Sequence, residues 1–174
     1  MSTVQGEGPP SADGHGPTVP RMLVGIELHR YRDAAGISPD QAAYEIRASR
    51  SKISRMENGL VRFKERDVTD LLTLYGVTDE QIRDRLVMLA RQANTPGWWS
   101  KYGDIMADWF ESYLGLETAA SVIRTFELQF VHGLFQTEDY ARAVTMLGHQ
   151  GAPAWEIDSR VSLRMKRQIG RGHV

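Results

Sequence analysis

The sequence predicts a mainly α protein: a compact bundle of five short helices followed by a second, mostly helical region. Three observations predict it. Apolar residues recur at helical spacing from Arg21 onward, the stripes are punctuated by residues that cap or stop helices, and the composition changes after Asn94-Thr95-Pro96-Gly97. Ahead of the first stripe, residues 1–20 hold four glycines (Gly6, Gly8, Gly14, Gly16) and four prolines (Pro9, Pro10, Pro17, Pro20), the composition of a disordered tail.

The elements follow in order. Val24, Leu28, Tyr31 and Ala35 fall at i, i+4, i+7 and i+11, an amphipathic stripe that Gly36 stops. Ser38 is a plausible cap, with Pro39 at the first helical position, for a short helix to about Ile46 that buries Ala42, Ala43 and Ile46. Ser49 caps a third helix through Glu57, with Ile53 and Met56 inside and Asn58-Gly59 ending it. Val68, Leu71, Leu72 and Tyr75 signal a fourth helix, closed by Gly76. A fifth follows Thr78, with Asp79 and Glu80 in its first turn and Ile82, Leu86, Leu89 and Ala93 on one face. The expected division is therefore a helical domain over residues 21–94 and a second domain over 98–174. In the latter, Ile105 to Ala120 reads as a helix and Val122 to Val131 as a strand. Thr137 caps a helix over Glu138 to Leu147, and Pro153 opens a last one toward Gln168.

Composition excludes several classes. With 41% hydrophobic and 25% charged residues in 174, the chain has apolar mass enough for a core. It has no cysteine, hence no disulfide, thiol nucleophile or cysteine zinc site, and no apolar run long enough to span a bilayer. A cytoplasmic protein is the expectation. The five histidines (His15, His29, His132, His149, His173) stand in no metal-binding spacing, and there is neither a Gly-rich phosphate loop nor a G-x-S-x-G elbow. No enzyme, cofactor or metal is expected.

The net charge of -1 hides opposed patches. Arg47 to Arg66 carries seven cations (Arg47, Arg50, Lys52, Arg55, Arg62, Lys64, Arg66) against Glu57 and Glu65. A charge run is ordinarily a solvated face. Here it coincides with a short capped helix, a preceding helix joined by a tight turn, and hydroxyl residues interleaved with arginines. That combination describes a helix-turn-helix, whose second helix enters the major groove with its N-terminal residues on the base edges.

Gly36-Ile37-Ser38, Ala42-Ala43 and above all Ser51-Lys52-Ile53-Ser54-Arg55-Met56-Glu57-Asn58-Gly59 resemble the lambda-repressor-like, or Xre, family of DNA-binding regulators over about Met22 to Val77. The resemblance implies base reading by Arg50, Ser51 and Lys52, with Arg55 one turn later, and phosphate contacts from Ser49 and Asn58. Arg62 and Lys64 join the phosphate set on charge and position. Arginine against guanine O6 and N7 makes G-containing half-sites the expectation. Arg32 and Glu57 resemble the family's partly buried ion pair, a structural role. Two positions depart from the family pattern. Pro39 replaces a phosphate-contacting glutamine, and Arg47 replaces the turn glycine, so Arg47 either takes a left-handed backbone or the turn is shaped differently.

The second region is rich in aromatics, ten of the chain's fifteen lying between Trp98 and Tyr140. From Asp104 to Tyr140 it carries seven acids against Arg124 alone. Its motifs Gly97-Trp98-Trp99, Trp109-Phe110, Leu116-Glu117, Ile123-Arg124-Thr125, Val131 to Gln136 and Thr137 to Ala143 resemble the second domain of actinobacterial Xre regulators of the WhiJ-like, antitoxin-like class. His132 stands for a usual proline and Phe135 for a leucine. That class continues past the point matched by Val174, which implies a second domain lacking its C-terminal part. It also implies a small partner protein, encoded alongside, that modulates the regulator. Trp98, Trp99, Tyr102, Trp109 and Tyr113 form either a partner or ligand surface or simply core.

The function expected is a sequence-specific transcriptional regulator, a repressor in kind, binding double-stranded DNA as a homodimer on a pseudo-palindrome with half-sites about one helical turn apart. The alternative is an antitoxin-like module that sequesters a small partner, with DNA binding only autoregulatory.

Overall fold

The computed structural model describes residues 16–169. Eight α-helices run through them: α1 (Thr18–Ala34), α2 (Pro39–Glu45), α3 (Arg50–Glu57), α4 (Glu65–Leu74), α5 (Glu80–Asn94), α6 (Asp108–Ala119), α7 (Glu138–Gly148) and α8 (Ala154–Lys166). Two 3-10 segments, Ser100–Ile105 and Gly133–Phe135, complete the regular structure, and no strand occurs among the described residues. The chain forms two compact units. The first comprises the described residues up to Gly97 with Ser112–Ala119, and the second Trp98–Glu111 with the described residues from Ala120 onward.

In the first unit, α1 to α5 close around Val24, Leu28, Ile53, Met56, Phe63, Leu71, Leu72 and Leu86, each nearly or wholly withdrawn from solvent. The predicted stripe of α1 holds at Val24 and Leu28, loosens at half-buried Tyr31 and ends at exposed Ala35. The helix also begins at Thr18, so the last three positions of the expected tail are its first turn. Residues 1–15 lie outside the described residues.

Local chemistry explains the short helices. At α2, Ser38 Oγ accepts from the Gln41 N–H at 3.2 Å while the Ser38 N–H donates to Gln41 Oε1 at 2.8 Å, a reciprocal capping box with Pro39 at the first position. Asp79 caps α5 rather than lying in its first turn, accepting from the Gln81 and Ile82 N–H groups.

Gly25 sets how closely α1 approaches α3. A Cβ there would stand 2.5 Å from the Glu57 carbonyl oxygen and 2.7 Å from that of Met56, both backbone atoms that cannot swing aside. Gly25→Ala is therefore expected to cost about 2 kcal/mol through overpacking and lower the thermal midpoint by several degrees. A midpoint equal to wild type in calorimetry would contradict that close approach.

The second unit is built on the α7–α8 pair, with Ala141, Ile157 and Val161 between them. The capping of α7 by Thr137, whose hydroxyl accepts from the Tyr140 N–H, and the start of α8 after Pro153 agree with the sequence. Two expectations do not. The stretch read as one helix from Ile105 to Ala120 is broken at Met106–Ala107, between a 3-10 segment and α6. The segment Val122–Val131, read as a strand, has no ladder partner among the described residues and leaves Phe126 and Leu128 almost fully exposed. Alternating apolar residues make a strand only when a neighbouring backbone accepts and donates the bonds.

Candidate nucleic-acid interface

Helix α3 is eight residues long, and its faces are sorted by chemistry. Ile53 and Met56 are buried in the core, whereas Arg50, Ser51, Ser54 and Arg55 are exposed. Ser49 caps the helix by accepting from the Lys52 N–H at 3.2 Å, and the residue is exposed at that end.

The C-terminal end is fastened by charge. Arg32 Nε donates to Glu57 Oε1 at 2.6 Å and Arg32 Nη2 to Oε2 at 3.1 Å, with side-chain exposures of 7% and 9%. Arg32 Nη1 also donates to the Ile37 carbonyl at 2.9 Å. His29 Nδ1 lies 2.8 Å from Glu57 Oε2, a further link between α1 and α3. Burial alone would raise the Glu57 carboxyl, but hydrogen bonds from Arg32 and His29 outweigh it and hold the group below its ordinary range. The ion pair expected of Arg32 and Glu57 is thus present.

Lys52 differs from its neighbours. Its ammonium lies 2.5 Å from Asp67 on α4, half-buried, so it braces α3 against α4 instead of extending outward. The Asn58 amide donates to the Ser54 carbonyl at 2.7 Å, closing the helix end. Arg62 and Lys64 stand exposed on the loop that follows. That loop is clamped by a pair the sequence reading missed: the Phe63 N–H donates to Asn94 Oδ1 at 3.0 Å and Asn94 Nδ2 donates to the Phe63 carbonyl at 2.6 Å. Its only local signal is an asparagine at the end of a helix, which names no distant partner. Arg47 takes the left-handed backbone, φ 52°. Among the described residues, the side chains of Arg47, Arg50, Arg55, Arg62 and Lys64 are exposed and make no ion pair or hydrogen bond, whereas Arg66 is paired with Asp70 at 3.4 Å.

The aromatic candidates do not form one surface. Trp99 is fully buried and Tyr102 is 7% exposed, its hydroxyl 3.0 Å from Ser162 Oγ, so neither offers a surface. Trp98 is half-buried, edge-on to Trp99 at 5.7 Å. Trp109 is 70% exposed and stacks edge-on to Phe110. Tyr113 belongs to the first unit, where its hydroxyl donates to Glu117 at 3.2 Å.

A capped helix, a tight turn and a second helix with unpaired cations outward define the first unit as a helix-turn-helix domain, a DNA-binding class. Residues 23–86 match the family described as a helix-turn-helix domain, and residues 110–171 match a domain of unknown function, DUF5753. No curated protein matches the chain, and no solved structure does. Among the described residues, no helix is long and apolar enough to cross a membrane.

Proposed function

We propose that the chain is a sequence-specific transcriptional repressor that binds a pseudo-palindromic operator as a homodimer. Residues 21–94 bind DNA and residues 98–174 respond to a small partner protein. Arg50, Ser51 and Arg55 read base edges from α3, Ser49, Asn58, Arg62 and Lys64 hold phosphates, and Lys52 serves as a brace. The observation that carries this reading is the set of exposed, unpaired cations gathered on and around α3 in a chain whose net charge is only -1. Selection from a random-sequence duplex library tests it. The expected product is an inverted repeat bound with log affinity falling steeply against log salt. Recovery of no common sequence and a flat salt response would refute it.

The exposed indole of Trp109 supports the partner role of the second unit. Added to the operator complex, the small protein encoded alongside is expected to release DNA from the wild type but not from Trp109→Ala. Equal release from both would remove Trp109 from that surface.

A further inference from the structure

Arg47 is, among the described residues, the one non-glycine with positive φ, at a turn where glycine would fit without strain. The side chain is exposed and unpaired, two residues before the Ser49 cap of α3. It stands on the edge of a groove of about 410 Å³ shared with Glu45, Lys64, Arg66, Asp67 and Asp70. Two of the three acids are already answered, Asp67 by Lys52 at 2.5 Å and Asp70 by Arg66 at 3.4 Å. The lining itself carries three cations against three acids; Lys52, reaching Asp67 from α3, tips the balance by one positive charge and leaves Arg47 and Lys64 as the unpaired cations. The Lys52–Asp67 bridge also places this groove beside the first turn of α3, the end that enters the major groove. The strand bordering that groove would pass here.

We infer that Arg47 is a phosphate clamp: with Lys64 it seats a DNA backbone phosphate at the mouth of this groove, fixing the register of α3 on the duplex. The inference rests on the DNA-binding reading above. A phosphate contact carries no sequence information, so it acts on any duplex. A guanidinium can present two N–H donors to one phosphate, and a left-handed residue in a tight turn holds its Cβ in a fixed direction.

The test uses fluorescence anisotropy with a random-sequence DNA duplex over a salt series, on the full chain. Arg47→Gly removes the charge and relieves the backbone, and Arg47→Asn removes the charge while tolerating the same φ. Both are expected to weaken binding roughly tenfold at low salt and to make the log–log salt slope shallower by about one, with Arg47→Lys keeping the slope. A wild-type slope retained in both uncharged variants overturns this inference alone. A flat slope in the wild type itself overturns the DNA-binding reading and the clamp with it.

Discussion

Arg50→Ala combined with Arg55→Ala is expected to weaken binding to the selected operator at least thirtyfold while leaving the melting temperature unchanged or slightly raised. Each bidentate arginine–guanine contact is worth about 1–3 kcal/mol of discrimination, and about 1.4 kcal/mol is a factor of ten. Neither side chain has a partner among the described residues whose loss would weaken the fold, and alanine is the better helix former. The signature lies in the ratio. Affinity for random duplex should fall much less than affinity for the operator, because the phosphate-holding residues remain. Equal loss on both duplexes, measured by anisotropy, would reassign these arginines to backbone contact. Unchanged affinity would remove α3 from the reading surface.

Glu57→Ala is expected to cost about 3 kcal/mol, because it strands the Arg32 guanidinium among buried atoms with the Ile37 carbonyl, His29 Nδ1 and the exposed Asp33 carboxylate in place of its buried charge partner. Replacing both partners by apolar residues, Arg32→Met with Glu57→Leu, should cost distinctly less, since no uncompensated charge is left behind. If the double variant is as unstable as the single one, packing rather than charge is what the pair supplies. The pH dependence has a definite sign. The folded-state carboxyl titrates below its unfolded value, so its contribution is complete above the ordinary carboxylate range and fades as pH falls through the lowered folded value. The gap in melting temperature between wild type and Glu57→Gln, followed by calorimetry, should therefore be full at neutral pH and close in acid.

The parts of the fold written in short-range chemistry were the parts legible in the sequence. Ser38-Pro39, Ser49 before Arg50, Thr137 before two acids, and the stops at Gly36, Gly59 and Gly76 all act within a few residues. Each lies at a helix end in the structure. What depended on distant partners was not legible. The spacing that makes Lys52 resemble a base reader says nothing of Asp67, fifteen positions away, which claims its ammonium. Trp99 and Trp109 have the same side chain in the same aromatic-rich stretch, yet one is sealed in and the other lies open. Composition cannot separate them, because burial is decided by what packs on top. The expected strand failed for the same reason, since its hydrogen-bonding partner would have to come from elsewhere in the chain.

If α3 reads DNA as proposed, its sorting into an inner row of Ile53, Met56 and Glu57 and an outer row of Arg50, Ser51 and Arg55 makes specificity a replaceable part. New letters could be written at the three outer positions to redirect the protein to another operator, and the scaffold beneath would register little change. The same substitutions one step round the helix would unfasten it from α1. A lineage diversifying its targets could therefore drift rapidly along one edge of this short rod while the opposite edge stood still.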